Sequence, residues 1–256
     1  MTLGTSARWT EVDQRHDHGP FDIIGDVHGC GSELETLLDR LGYASDARGV
    51  WQPPAGRSAI FVGDLADRGP RSLDALRLTL AMLHAGHARW VPGNHDERLE
   101  WYLSGADTRL VYGLDTTAAE LASAPPEFCR DALRTLQALP SHYVLDDGRL
   151  VVAHTGLDPV YHGQNSARIR HLAAWGVPEG DIKKGATFDE RHSWRPGYTG
   201  AAAIVYGHTP VPEAVWVRNT IDIDTGCVYG GRLTALRWPE REIVSVPALR
   251  AYAERA

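Results

Sequence analysis

The sequence predicts an α/β fold in which two mixed β-sheets pack as a sandwich flanked by helices. Three short apolar segments, at 21–24, 59–62 and 88–91, each run into glycine and then into polar residues. The first two are followed by leucines at helical spacing, a pattern typical of buried strands that alternate with helices. Shorter segments in the last third predict a second, largely antiparallel sheet, which we expect to pack against the first.

The first strand and helix set this pattern. The strand at 21–24 leads through residues 25–29, with the sequence GDVHG, into a helix that Gly42 ends. Ser32 and Glu35 have the spacing of a capping box at the start of that helix. The apolar positions that face the core are Leu34, Leu37, Leu38 and Leu41.

Later elements follow from similar signals. A second helix is expected from about Ser72 to Gly86. Helical sequence at 114–139 is broken into two segments by Pro125-Pro126, because proline interrupts the helical hydrogen bonds. The Asp147-Gly148 turn lies between two apolar segments and predicts a β-hairpin.

The domain organisation is simple. Residues 1–19 lack periodicity and predict a flexible N-terminal tail, and residues 20–256 predict a single domain. Residues 155–200 show little regular pattern, and so long an irregular connection is usually functional.

Composition excludes several classes of protein. The formal net charge of −7 argues against a stable nucleic-acid partner, which needs a basic face. The three cysteines are far apart and form no CxxC pair, which suggests a reducing compartment. A polar N-terminus and the lack of a long apolar run argue against a signal peptide and a membrane span. We therefore expect a cytoplasmic protein with no membrane partner, and the oligomeric state stays unknown.

The polar residues at the predicted strand ends are potential metal ligands. One Asp-x-His pair alone would more often be a capping aspartate beside an ordinary histidine, but such clusters follow three strands in turn. Oxygen and imidazole ligands without thiolates suit a pair of divalent metals such as Mn, Fe or Zn, with one carboxylate bridging them. The candidate ligands are Asp26, His28, Asp64, Asn94, His154 and His208.

These motifs resemble a known family. The sequences GDxHG at 25–29, GDxxDRG at 63–69 and GNHD at 93–96, followed by His154 and His208, occur in the order found in the phosphoprotein phosphatase branch of the calcineurin-like metallophosphoesterases. The resemblance implies that fold for residues 20–256. It also implies a phosphohydrolase in which a hydroxide between two metals attacks phosphorus.

The resemblance assigns the ligands to two metals, of which manganese is the most expected, with Fe, Zn, Co or Ni as alternatives. One metal would be held by Asp26, His28 and Asp64, and the other by Asp64, Asn94, His154 and His208.

The resemblance also implies catalytic roles. His95 would protonate the leaving oxygen while Asp67 orients its ring. Arg68 would bind the phosphate with its planar fork, which lysine does poorly. A second arginine is expected from the later loop, and Arg191 lies where close relatives carry theirs, with Arg195 nearby.

The sequence of the C-terminal third indicates which class of substrate to expect. Residues 205–212 and 221–227 are similar to stand-alone asymmetric diadenosine tetraphosphate hydrolases and to the phosphatase module of bacterial polynucleotide kinase-phosphatases. The chain has no GxxxxGK[ST] kinase loop, which favours the stand-alone enzyme. Symmetric diadenosine tetraphosphate hydrolases tend to lack the aspartate that this chain has at position 67, which argues against that group. The expected substrate is therefore a small phosphorylated molecule, a nucleotide such as diadenosine tetraphosphate.

Other functions stay open at this point. The alternatives are a broad-specificity phosphomonoesterase or Ser/Thr protein phosphatase, a 2′,3′-cyclic nucleotide phosphodiesterase or RNA end-repair phosphatase, and a binding protein that keeps the fold without the chemistry. Thr155 departs from relatives, which often have alanine or glycine there. Several residues are interpreted as ordinary packing or surface groups: Cys30, Cys227, His142, His162, His171 and His192. The same interpretation is given to Trp194, Tyr198 and Tyr206, with stacking on a base as the alternative.

Overall fold

The computed structural model describes residues 10–176, 195 and 197–255. The strands in this part of the chain are β1 (Asp13–Gln14), β2 (Phe21–Ile24), β3 (Ala44–Ser45), β4 (Trp51–Gln52), β5 (Ser58–Phe61), β6 (Ala88–Trp90), β7 (His142–Leu145), β8 (Leu150–Ala153), β9 (Ala203–Tyr206), β10 (Thr220–Asp222), β11 (Arg232–Trp238) and β12 (Glu242–Pro247). The helices are α1 (Gly31–Leu41), α2 (Ser72–His84), α3 (Asn94–Leu103), α4 (Leu114–Leu121), α5 (Pro126–Ala138) and α6 (Ala167–Trp175).

Two five-stranded mixed sheets form the framework, with strand orders β12-β11-β2-β5-β6 and β1-β7-β8-β9-β10. In the first sheet β2, β5 and β6 are parallel, and β11 and β12 are antiparallel to their neighbours. Alternate residues of β2 face opposite ways, because side chains alternate along a strand. Ile23 packs with Val152 and Val205 of the other sheet, whereas Ile24 packs with leucines of α1 and α2. The predicted sandwich flanked by helices is confirmed.

The prediction that the second sheet is largely antiparallel was wrong. Within it only β7 and β8 are antiparallel, and the pairs β1–β7, β8–β9 and β9–β10 are parallel. Strands β11 and β12 extend the first sheet instead, since Ala235 pairs with Ile24. Alternating hydrophobicity shows that a segment is a strand but not which sheet it joins. Residues 214–217 contribute only an isolated bridge between Val217 and Thr220.

The predicted tail is also corrected in part. Residues 10–19 are not a loose tail, because β1 pairs with β7 through Asp13 and Val144, and Val12 and Gln14 are buried. The segment is too short to show a strand pattern of its own. Residues 1–9 lie outside the described part of the chain.

The predicted capping box of α1 does not form. The helix begins at Gly31 after Cys30, without a side-chain cap. Arg71 donates hydrogen bonds to Ser32 Oγ at 3.0 Å and to Glu35 Oε2 at 3.1 Å, and so occupies both side chains of the expected box. Gly42 ends the helix in the left-handed conformation, as predicted.

The other helical predictions are confirmed except in the long connection. Helix α2 starts at Ser72, and Pro126 lies in the first turn of α5, after α4 has ended at Leu121. The connection predicted to be irregular contains α6, which Ser166 caps by accepting a hydrogen bond from Ile169 N at 3.2 Å. No helix in the described ranges is long and apolar enough to cross a bilayer.

Candidate metal centre

The candidate ligands lie where strands of both sheets end. The strands β2, β5, β6, β8 and β9 are followed by Asp26, Asp64, Asn94, His154 and His208. The strands β2, β5 and β6 run parallel in one sheet, and β8 and β9 run parallel in the other. Ligand atoms of Asp64, His154 and His208 all lie within 4.8 Å of one another, and so do those of His28, Asp64 and His95. Asp64 is therefore common to two adjacent groups, as a bridging carboxylate would be.

Close backbone approaches make this convergence possible. A Cβ atom on Gly93 would collide with Asp64 Oδ1, and one on Gly207 would collide with Asp26 Oδ1. His28, Asp64 and His208 have positive φ angles of 44°, 52° and 76°, in the left-handed region that such residues rarely adopt. Strained backbone of this kind concentrates at functional sites, where the surrounding structure holds it in place.

The His154 group has a donor set that fits a cation. His154 Nδ1 lies 2.9 Å from Val62 O and donates its proton there, which turns Nε2 towards the site. Nε2 lies 3.4 Å from Asp64 Oδ2, 3.4 Å from Asn94 Oδ1 and 3.1 Å from His208 Nδ1. Burial by itself would lower the pKa of His154, but Asp64, Asp96 and the hydrogen bond to Val62 O together raise it above its ordinary value. A cation at this position would be within reach of His154 Nε2, Asp64 Oδ2 and Asn94 Oδ1.

The His28 group has the guanidinium of Arg68 beside its ligand nitrogen. Its Nδ1 lies 3.1 Å from Ala66 O and donates there, so Nε2 carries a lone pair. Arg68 Nη1 donates to this Nε2 at 2.6 Å, and Asp64 Oδ2 lies 3.5 Å from the same atom. Burial lowers the pKa of His28 well below its ordinary value, which keeps the ring neutral, the form that binds a metal.

Asp26 joins the site through His208, whose backbone N–H lies 3.2 Å from both carboxylate oxygens. Burial, followed by Asp224 and Asp64, raises the pKa of Asp26 well above its usual range. Burial by itself would also raise the pKa of Asp64, but His154, His95 and His28 together hold that pKa well below its usual range. Buried carboxylates so close together repel one another, and a bound divalent cation would offset that repulsion.

A hydrogen-bonded relay leads away from the centre. His95 Nδ1 lies 2.6 Å from Asp67 Oδ2, and Thr117 Oγ1 donates to Asp67 Oδ1 at 2.6 Å. Asp67 and Thr117 are fully buried and His95 nearly so. The His95 and His28 rings meet edge to face, 4.8 Å apart. The relay thus holds the second nitrogen of His95 free of Asp67 and next to the metal ligands.

Three residues of the site were missed by sequence reasoning. Asp96 accepts hydrogen bonds from Gly93 N and Asp64 N, both at 2.8 Å, and so ties two strand ends together. Asp224 is buried beside Asp26, and burial is the main cause that raises its pKa to about 6. Asp96 lies in the GNHD motif at 93–96, and Asp224 lies in the segment 221–227 that resembles the same family, so both positions could have been found from the sequence. Thr117 lies in α4, where no local pattern marks it.

The other predicted residues have mixed outcomes. Arg191, His192 and Trp194 lie outside the described residues. Arg195 donates to Val215 O at 3.3 Å. Tyr206, Tyr198, Cys30 and Cys227 are buried in the protein interior, which favours packing over base stacking. Thr155 also has a structural role, since its hydroxyl donates to Leu172 O of α6 at 3.0 Å.

Comparison with known proteins identifies the family. The model of the calcineurin-like phosphoesterase family matches residues 19–212. This chain belongs to that family. The phosphoesterase is 42% identical over 242 residues to the asymmetrical bis(5′-nucleosyl)-tetraphosphatase PrpE of Anoxybacillus flavithermus, covering 91% of this chain and 96% of the relative. Identity to the enzyme of the same name from Bacillus subtilis is 39% over 242 residues, covering 91% and 97%.

Solved structures agree. The phosphoesterase matches a structure of a proposed diadenosine tetraphosphatase with a TM-score of 0.63 and 27% identity, covering 93% of this chain and 97% of the other. It also matches a protein serine/threonine phosphatase from Saccharomyces cerevisiae with a TM-score of 0.60, covering 96% and 85%. At 15% identity the yeast likeness concerns the fold alone. The phosphoesterase is a hydrolase of a family that uses a dinuclear metal site, and its converging ligand groups fit such a site.

Proposed function

We propose that this phosphoesterase is an asymmetrical bis(5′-nucleosyl)-tetraphosphatase that splits diadenosine tetraphosphate into AMP and ATP. The observation that carries the proposal is the identity of about 40% to enzymes of that name, which extends over nine-tenths or more of both chains. The presence of Asp67 supports it further, because this carboxylate is part of the relay behind His95.

The candidate ligands are divided between two ions as the family resemblance implies. Asp26, His28 and Asp64 would hold one ion, and Asp64 would be shared with the other. Asn94, His154 and His208 complete the second set, and manganese is the proposed metal. A pair of divalent cations supplies Lewis-acid activation of water and neutralises charge on the phosphoryl oxygens.

His95 acts as the proton donor. Its Nδ1 is occupied by Asp67 at 2.6 Å, so Nε2 is the atom that transfers a proton to the leaving oxygen as the bond to phosphorus breaks. Asp67 fixes the orientation of the His95 ring through this hydrogen bond. Thr117 and Ser72 in turn hold Asp67, because Thr117 Oγ1 donates to the carboxylate and Ser72 Oγ accepts from Asp67 N at 3.0 Å.

Arg68 binds the phosphate. Its guanidinium already lies beside His28 Nε2, so it faces the metal ligands, and a rotation of this long side chain brings it onto a phosphoryl oxygen. Arg191 is proposed as the second phosphate-binding arginine. The cell compartment is proposed to be the cytoplasm, where the free cysteines would remain reduced.

Product analysis tests the proposal. The purified chain is incubated with diadenosine tetraphosphate and Mn²⁺, and nucleotides are separated by ion-exchange chromatography. We expect equal amounts of AMP and ATP, and no activity after a chelator is added. Two equivalents of ADP would show symmetric cleavage and overturn the assignment. Hydrolysis of a phosphopeptide or a 2′,3′-cyclic nucleotide at a higher kcat/KM would favour one of the alternative phosphatases instead.

A further inference from the structure

A cleft is lined by Arg68, a residue that also contacts the candidate metal ligand His28. It has a volume of about 570 Å³, and its walls include Arg68, Thr116 and Glu120 on one side and Arg250 and Tyr252 on the other. Small-molecule sites usually have volumes of about 300 to 1,000 Å³. Arg68 lines this cleft and also donates to His28 Nε2 at 2.6 Å, so one residue connects the cleft with the candidate metal ligands.

The C-terminal wall of the cleft is firmly attached. We call residues 248–253 the C-terminal strap. Leu249 N and Tyr252 Oη both donate to Glu33 Oε1 of α1, at 2.9 and 2.8 Å. Tyr252 N donates to Val228 O at 2.8 Å, and Ala251 pairs with Tyr229. The strap therefore holds Arg250 and Tyr252 in defined positions rather than leaving them on a loose chain end.

The charge of the cleft is positive although the chain has a net charge of −7. Arg68 and Arg250 contribute cations, and no carboxylate among the described residues forms an ion pair with Arg250. The Glu120 carboxylate is engaged elsewhere, because it accepts from Ser72 N at 3.2 Å and Leu73 N at 2.8 Å at the start of α2. A helix N-terminus stabilises such a negative charge, which leaves the two guanidinium groups to attract an anion.

Aromatic rings lie beside both cations. The Arg250 guanidinium lies 5.3 Å from the centre of the Tyr252 ring, and that of Arg68 lies 5.7 Å from the centre of the Tyr229 ring. A phosphate chain requires cations, and a nucleoside requires a flat apolar face on which its base can stack. The cleft offers both within reach of Arg68.

We propose that this cleft is the subsite for the part of the substrate beyond the scissile phosphorus, a phosphate chain that carries a nucleoside. Arg68 contacts the phosphate nearest the metal centre, Arg250 binds the more distant phosphates, and the base lies against Tyr252. The subsite rests on the proposed function and explains how one centre could prefer a dinucleoside polyphosphate to a simple monoester.

Kinetics with two substrates test the subsite. Arg250→Ala is compared with the unchanged chain on diadenosine tetraphosphate and on p-nitrophenyl phosphate, which lacks the phosphate chain and the nucleoside that the cleft would bind. We expect the KM for diadenosine tetraphosphate to rise about tenfold, as for loss of one charge-assisted contact, with kcat and the p-nitrophenyl phosphate kinetics unchanged within twofold. Arg48→Ala, which removes an equally charged and exposed side chain outside the cleft, should change neither.

Inhibition separates this inference from the proposed function. ATP should compete with p-nitrophenyl phosphate in the unchanged chain, and Arg250→Ala should raise its inhibition constant about tenfold. If diadenosine tetraphosphate is not cleaved but Arg250→Ala still weakens inhibition by ATP, the proposed function is wrong and the subsite stands. The subsite is wrong if Arg250→Ala changes neither the KM for diadenosine tetraphosphate nor the inhibition constant of ATP. It is also wrong if the variant raises the KM for diadenosine tetraphosphate and for p-nitrophenyl phosphate by the same factor.

Discussion

Thr117 Oγ1 donates a hydrogen bond of 2.6 Å to Asp67 Oδ1, and both residues are fully buried. The other oxygen of the same carboxylate lies 2.6 Å from His95 Nδ1. Thr117 belongs to α4, fifty residues further along the chain than Asp67. A helix outside the sheet sandwich therefore sets the orientation of the proposed acid through one carboxylate.

Thr117→Val tests this positioning role. Removing the hydroxyl leaves Asp67 short of a buried hydrogen bond, which costs about 1.5–3 kcal/mol when the partner is charged. We expect kcat to fall at least tenfold with KM nearly unchanged, since substrate contacts remain, and Thr117→Ser should restore most of the rate. If Thr117→Ser were as slow as Thr117→Val, the side chain would act only in packing. The same conclusion would follow if both variants lost activity only in proportion to their loss of thermal stability.

His95→Asn tests the proton donor. We expect this variant to keep its bound metal, because the imidazole is assigned to proton transfer rather than to coordination. Turnover of an alkyl phosphate should fall about 10²–10⁴-fold, whereas p-nitrophenyl phosphate, whose leaving group needs little protonation, should lose much less. Metal content is measured by atomic emission alongside the rates. Loss of metal in proportion to activity would mean that His95 is itself a ligand.

Asp64→Asn tests the shared carboxylate. Asp64 Oδ2 lies within 3.5 Å of both His28 Nε2 and His154 Nε2, so its charge acts on both ligand groups. We expect the purified variant to lose both metals and nearly all activity, because an amide oxygen cannot bridge two cations as a carboxylate does. Asp39→Asn, on the exposed side of α1, should retain two equivalents. Two retained metals in Asp64→Asn would contradict the bridging assignment.

The lowered pKa of His142, a residue outside the candidate site, predicts that the free energy of unfolding depends on pH. Burial, followed by His162, lowers the pKa of His142 to about 4, against about 6.5 in an unfolded chain. His142 Nε2 accepts from Gly163 N at 3.0 Å, so protonation there would break that hydrogen bond. The unfolded chain binds more protons between these pKa values, so the stabilisation present above pH 6.5 is lost as pH falls towards 4.

The size of this effect can be measured by urea unfolding of the chelator-treated chain at pH 7 and pH 5. The unchanged chain should lose about 2 kcal/mol more between these pH values than His142→Gln, whose amide can still accept from Gly163 but does not titrate. Equal losses in both proteins would show that His142 is not responsible.

Much of the candidate site was predictable because each candidate ligand lies close to a recognisable strand end. Asp26 and His28 follow β2 directly, and Asp64 follows β5 within a few residues. A buried strand has a clear apolar pattern, and in parallel neighbours the chain leaves the sheet at one edge, so ligands placed there must converge. Asp96 was visible in the same motif, although its structural role was not.

The remainder depended on contacts between distant parts of the chain. The side chains that would have formed a capping box on α1 bind Arg71 instead, and β11 joins the first sheet rather than the second. The cleft exists because the C-terminal strap returns to Glu33 and brings Arg250 to the same cavity as Arg68. Local sequence specifies the chemistry at each strand end, since it depends on neighbouring residues and their period. Tertiary packing decides which distant side chain supports that chemistry. Such a side chain contacts the site only after the chain has folded, so no local sequence pattern indicates it.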